Sequence, residues 1–231
     1  MKVLGMLGGI GPESTIAYYR ALIAQGTAAT PDGKQPPILI NSIDVQRVLG
    51  LVEQNALAEL VDYVVSELER LERGNADLAI IAANTPHVVF DDVQARSPLP
   101  LVSIVEASRD AVRAAGFHRV GLFGTRFTMQ GRFYPDVLSA ADIDVVVPRT
   151  DEQSYIHDKY INELLKGHFL PTTRDGLLSI VEDMRARDRV DAIVLAGTEL
   201  PLLLTVGTAA SVPLLDTTDI HVKAAVAAAW V

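Results

Sequence analysis

"AIIAANT" occupies residues 79–85, and "AIVLAGT" occupies residues 192–198. Each is an unbroken apolar run that stops at a short polar group ending in Thr. The offset is about 113 residues. At that same offset "LPLV" (99–102) returns as "VPLL" (212–215), and at nearly the same offset "LGMLGG" (4–9) returns as "VGLFGT" (120–125). One match would mean little, because apolar strands look alike. Three in the same order indicate two similar halves, 1–98 and 99–215. The last helix, about 216–231, is expected to return to the first half.

The pattern around these runs sets the fold class. "KVLGML" (2–7), "PPILINSI" (36–43), "ADLAIIAA" (76–83), "LPLVSI" (99–104), "RVGLFGT" (119–125), "IDVVVP" (143–148), "VDAIVLAG" (190–197) and "VPLLD" (212–216) read as strands. Longer amphipathic stretches separate them, including 12–26, one long helix over 51–74, and helices near 151–167 and 172–187. Continuous apolar strands alternating with helices predict α/β architecture, with parallel sheets covered on both faces. Two such lobes bring matching strand ends to one cleft, since ligands bind outside the carboxyl ends of parallel strands.

Composition narrows the function classes. The chain has 231 residues, 49% of them apolar, with a formal net charge of −9. No basic stripe with interleaved aromatics appears, so nucleic acid is not an expected partner. The opening "MKVLGMLGGIGPEST" is too short and too interrupted for a signal segment. "LPLLLTVGTAASVPLLD" (200–216) is cut by Gly, Thr, Ser and Pro, so no membrane span is expected. A cytoplasmic location is the expectation. There is no cysteine, which excludes disulfides, thiolate metal sites and thiol nucleophiles. The five histidines, His87, His118, His157, His168 and His221, show no metal-ligand spacing, and no metal is expected.

Chemistry-bearing residues gather at the strand ends. "GGIGPEST" (8–15) is neither a dinucleotide fingerprint nor a phosphate loop: the third glycine is replaced by Ser14, and no Gly-Lys pair follows. Gly9 reads as a tight turn, Pro12 as a first helical residue, and Glu13 as a first-turn carboxylate. "ANTPH" (83–87) offers Asn84 and Thr85 as helix caps or ligand donors, and His87 as an acid–base group. "AGTELP" (196–201) offers Thr198 and Glu199 in the same two senses. Thr125 and Thr128 in "GTRFTM" supply hydroxyls. Arg47, just beyond the second strand, and Lys166, at a helix end, are cations that could grip a carboxylate. A single Arg or Lys is more often a solvated surface charge.

Taken together, "MLGGIGPESTIAYYR", "AANTPH", "GTRFTM", "INELLKGHF", "AGTELPLLL" and "VPLLDTTDIHVKAAV" resemble the aspartate/glutamate racemase family in order and spacing over almost the whole chain. The resemblance implies two pseudo-symmetric α/β lobes with the site in the cleft between them. It also implies amino-acid chemistry without pyridoxal phosphate or metal, and a homodimer. In the usual member two cysteines face each other across the substrate α-carbon, one removing a proton and the other delivering one. The matching positions are Ala83 and Gly197, and neither side chain carries a proton. The resemblance puts Arg47 and Lys166 toward a distal carboxylate. It puts Gly9, Asn84, Thr85, Thr125 and Thr198 toward the α-amino and α-carboxylate groups. The expected substrate is an acidic amino acid or dicarboxylate with an enolisable α-carbon, and replacement acid–base groups are sought in His87, Glu199, Glu13 or a water held beside Gly197. The competing readings are a cysteine-free sibling chemistry, such as that of a lyase, decarboxylase or cyclase, and a non-catalytic small-molecule binder.

Overall fold

A computed structural model describes residues 1–30, 32–204 and 210–230. Residues 205–209, inside the apolar stretch that begins at Leu200, and Val231, at the end of the last predicted helix, lie outside the described residues. The chain divides into two compact units, Met1–Ile104 with Thr218–Val231, and Val105–Thr217.

In the first unit β1 (Leu4–Gly8) and β3 (Leu78–Ile81) are buried along their whole length. This is why both read as unbroken apolar runs. They pair in parallel, with Leu7 beside Ile81. β2 (Ile38–Ser42) covers the outer side of β1, and β4 (Leu101–Val102) covers the outer side of β3, giving the order β2-β1-β3-β4. β4 does not open the second half at residue 99 as the repeat predicts: Ala79 and Ile80 hold Leu101 and Val102 in the first sheet. Between the strands run α1 (Pro12–Ala29), α2 (Val45–Glu53), α3 (Leu57–Arg73) and α4 (Phe90–Arg96), with a 3-10 turn over Thr85–Val89.

α2 and α3 replace the single helix predicted over 51–74. Asn55 between them has φ +52°, a left-handed backbone that ends one helix before the next begins. The first helix also starts earlier than predicted, because the Asp44 side chain accepts the Gln46 amide at 2.8 Å and caps it.

The second unit repeats the plan. α5 (Ile104–Ala114) leads to β5 (Arg119–Gly124). Next come α6 (Arg126–Gln130), α7 (Phe133–Ser139), β6 (Asp144–Val146), α8 (Thr150–Asn162) and a 3-10 turn at Leu164–Lys166. They are followed by α9 (Pro171–Asp188), β7 (Ala192–Ala196), α10 (Leu200–Leu203) and β8 (Leu214–Asp216). All pairings are parallel and the order is β6-β5-β7-β8, the counterpart of the first sheet.

One device recurs in both units. Asp77, just before β3, takes the Val3 amide on its carboxylate at 2.7 Å, and its own amide bonds the Val3 carbonyl. Asp191, just before β7, takes the amides of His118 and Arg119, both at 2.9 Å, and its amide bonds the Arg119 carbonyl. Each carboxylate sets the starting register of its sheet's central pair.

The last helix, α11 (Thr217–Trp230), supplies Val222, Ala225, Val226 and Ala229 to the first unit's core, beside Leu4, Met6 and Tyr18. The second unit's core includes Phe123, Ile156, Leu177, Met184 and Leu195.

Candidate functional site

In each sheet the chain reverses its direction of winding between the two central strands. β1 sends its connection to β2 on one side, and β3 sends its own to β4 on the other. Such a reversal leaves a crevice at the carboxyl ends of the central strands. The residues there are Gly9 and its neighbours after β1, and Ala83, Asn84 and Thr85 after β3. In the second unit they are Thr125 after β5, and Gly197, Thr198 and Glu199 after β7.

Gly9 has φ +86°, and a Cβ on it would meet the Ile43 amide nitrogen at 2.6 Å. The turn out of β1 therefore needs glycine at this position. Its amide donates to Thr15 Oγ1 at 2.8 Å, and Thr15 Oγ1 in turn donates to the Gly11 carbonyl at 3.0 Å. Thr15 thus ties the loop to the first turn of α1. Glu13 is exposed on that turn.

Ala83, Asn84, Thr85 and His87 are all buried. His87 Nε2 accepts the Ile104 amide at 3.3 Å, so its proton sits on Nδ1 and is donated to the Ala83 carbonyl at 2.9 Å. Burial pushes its pKa down to about 3, and the neighbouring His221 adds to the shift. His221 is fully buried as well: its rings and those of Tyr18 and His87 meet edge to face. Its Nε2 donates to the Val102 carbonyl at 2.8 Å, leaving Nδ1 to accept the Tyr18 hydroxyl at 2.9 Å. The acid–base role sought for His87 therefore meets an obstacle. The ring is neutral, both nitrogens are bonded to backbone, and its work is to join the β3 end to the start of α5.

Arg47 lies in the first turn of α2, not in a loop. It is exposed, and its guanidinium carbon stands 3.9 Å from the centre of the Tyr63 ring. Lys166 is exposed on the 3-10 turn after α8.

At the β5 end Thr125 caps α6: its Oγ1 accepts the Thr128 amide at 3.3 Å and lies 3.2 Å from Thr128 Oγ1. Both threonines are buried. At the β7 end the Glu199 side chain is fully buried. Its Oε2 accepts the Thr198 hydroxyl at 3.1 Å and a short bond from the Tyr160 hydroxyl on α8. Burial and the adjacent Glu199 carboxylate hold the Tyr160 phenol well above the ordinary tyrosine range. Thr198, Glu199 and Tyr160 thus form one connected polar group inside the second unit. Among the described residues no group of three or more His, Asp or Glu could hold a metal ion. No helix among them is long and apolar enough to cross a membrane.

The fold has counterparts among known proteins. A sequence profile described as Asp/Glu/hydantoin racemase matches residues 7–225. The chain belongs to the Asp/Glu/hydantoin racemase family. This racemase-family chain is similar to the solved structure of an aspartate racemase homologue from Pyrococcus horikoshii OT3, at 31% identity and a TM-score of 0.83 over 99% of each chain. It is also similar to the structure of a proposed Asp/Glu racemase from Yersinia pestis, at 30% identity and a TM-score of 0.87 over 99% of each chain. The glutamate racemase of a Parafrankia species is 30% identical over 64% of this chain, and the match spans 52% of that protein's own length.

This family member has no cysteine anywhere. Two groups near its strand ends escaped the sequence reading. Tyr160 sits in an unremarkable helical stretch 37 residues before Gly197. The only available signal was general: a buried tyrosine hydroxyl needs a partner. The Tyr18–His221 pair joins residues 203 positions apart, and no local pattern announces such a contact.

Proposed function

We propose that this racemase-family chain acts on a small acidic amino acid or dicarboxylate at an enolisable α-carbon, without pyridoxal phosphate and without a thiol. The observation that carries the reading is the buried carboxylate of Glu199 at the end of β7, oriented by Thr198 and Tyr160. A general base must be fixed in position before its proton affinity matters. Two hydrogen bonds to one oxygen supply that fixing. Asn84, Thr85, Thr125 and Thr198 are the proposed partners of the α-amino and α-carboxylate groups. The tight turn at Gly9 gives backbone access, and Arg47 and Lys166 are the proposed partners of a distal carboxylate. For Arg47 this requires leaving or sharing its place over Tyr63.

A second reading follows from the same geometry. Racemisation through two opposed proton carriers needs a carrier at each of the two positions, and Ala83 and Gly197 supply neither. With His87 neutral and bonded on both nitrogens, the candidate bases that remain among the residues singled out are Glu199, buried and fixed by two hydrogen bonds, and Glu13, exposed on the first turn of α1; the fixed geometry favours Glu199. A single base suits an elimination or decarboxylation better than an inversion, and a chain without turnover would be a binder. The proposed setting is the cytoplasm and the proposed assembly a homodimer; light scattering on the purified protein tests the assembly.

The test of function is α-proton exchange. The protein is incubated in heavy water with each enantiomer of aspartate and glutamate and followed by proton NMR, while calorimetry measures binding. The expected result is loss of the α-proton signal for at least one acidic amino acid, slowed about 10²–10⁴-fold by Glu199→Gln. Binding without exchange or product would favour the binder. Absence of both would overturn the proposal.

A further inference from the structure

Gly197 is not a glycine for backbone reasons. Its φ lies outside the left-handed region, unlike those of Gly9, Gly33, Gly116 and Gly167. Space is the reason. A Cβ built on Gly197 would stand 2.5 Å from Cε2 and 3.2 Å from Cζ of Tyr160, and 3.2 Å from a methyl carbon of Leu200. Carbon atoms pack at roughly 3.5–4.0 Å, so the Tyr160 ring stands inside the volume that any side chain at 197 would need. The ring has little freedom to retreat. It is 5% exposed, belongs to the apolar core with Ile156, Leu164, Leu195 and Leu200, and its hydroxyl is bound to the Glu199 carboxylate.

We propose that Tyr160 is the residue that decides the chemistry available at the β7 end: its ring takes the side-chain space of position 197, and its hydroxyl holds Glu199 in place. Ring and hydroxyl then do separable jobs. The ring closes position 197 to a thiol or to any other proton carrier. The hydroxyl makes the carboxylate two residues later the ionisable group that this strand end presents. Tyr160 is a positioning residue in this scheme, acting through Glu199. The packing of Tyr160 against Gly197 lies wholly within the second unit. Its catalytic consequence rests on the proposed function, and the tests below use no substrate, so a failure of one does not masquerade as a failure of the other.

The packing half is tested by introducing Gly197→Cys into three backgrounds: Tyr160, Tyr160→Phe and Tyr160→Leu. With Tyr160 present, the substitution is expected to lower Tm by about 3–10 °C, the range for forcing extra volume into a packed core. Tyr160→Phe keeps the ring, and the penalty should persist. Tyr160→Leu removes the outer ring atoms, and the penalty should fall below half its original size. This is the non-additive behaviour of residues in contact. An equal penalty in all three backgrounds would overturn the ring's role. Should a cysteine variant fail to fold, Gly197→Ala asks the same question with one added carbon.

The positioning half is tested by carbon NMR of the Glu199 carboxyl across a pH range, assigned through Glu199→Gln. Losing a donor to a carboxylate raises its pKa, so Tyr160→Phe is expected to move the midpoint upward by about one unit or more. Leu177→Ala, elsewhere in the same core, should leave it in place. An unmoved midpoint in Tyr160→Phe, or an equal shift in both variants, would overturn the holding role.

Discussion

At the scale of single residues, the two buried histidines of the first unit make the clearest demand on solution conditions. His87 is pushed down to about 3 and His221 to about 4, each chiefly by burial. In the unfolded chain both titrate near 6.5. Between about pH 4 and 6.5 the unfolded state therefore binds more protons than the folded one, and stability rises with pH. The contribution is fully present above about pH 6.5 and is lost as pH falls toward the folded values. With two such groups the slope approaches about 2.7 kcal/mol per pH unit near pH 5. Urea unfolding followed by the fluorescence of Trp230, the only tryptophan, should show a much lower midpoint at pH 5 than at pH 7. Equal midpoints would contradict the neutral, backbone-bonded assignment. Composition and motif could single out His87 as a possible proton carrier, since the residue type and its place after Asn-Thr-Pro are visible in the sequence. They could not show that Ala83 and Ile104 would occupy both of its nitrogens. The second partner comes from 17 residues away.

At the scale of elements, breaks within long periodic stretches escaped a reading based on apolar spacing. The run 51–74 keeps its spacing across Gln54-Asn55-Ala56, yet the backbone turns left-handed at Asn55 and α3 starts afresh at Leu57. The start of α2 was readable in principle, because Asp44 precedes it as a capping residue should. Asp44→Ala removes the acceptor of the Gln46 amide at an exposed site. The expected cost is about 1 kcal/mol, or roughly 2–4 °C in Tm for a chain of this size. Calorimetry on the variant checks it, and Asp44→Asn, which keeps an oxygen acceptor, should recover most of the loss. Arg47 lies in the same first turn, so affinity for an acidic ligand, the role proposed for Arg47, is a second readout of the same substitution.

At the scale of the whole molecule, the repeated sheet order and the paired carboxylates Asp77 and Asp191 describe one plan used twice. The return of α11 to the first unit closes that unit's core with residues more than a hundred positions away from it in sequence. Ala225 is fully buried there. Ala225→Asp would bury an unpaired carboxylate among Leu4, Met6 and Tyr18. A loss of at least about 3 kcal/mol is expected, by analogy with leaving a buried charge uncompensated. Trp230 lies on the same helix, and its indole N–H donates to the Lys2 carbonyl at 2.9 Å. Its fluorescence therefore reports the unit directly, and a urea midpoint unchanged by Ala225→Asp would refute the assignment of α11 to this core.

The fold class was legible in the sequence because parallel strands buried on both faces leave continuous apolar runs, and because duplication leaves the same runs twice. Family membership was legible because the strand-end motifs keep their order over nearly the whole chain. The inert character of Ala83 and Gly197 was legible too, since neither side chain bears an ionisable group. Tertiary structure alone decided what surrounds those positions. The Tyr160 ring fills the space beside Gly197, its hydroxyl holds Glu199, and His87 is held neutral between two backbone groups. Each draws on a partner from another element, Tyr160 on α8 or Ile104 on α5. Local periodicity records which face of an element is buried, but not which distant side chain will meet it there.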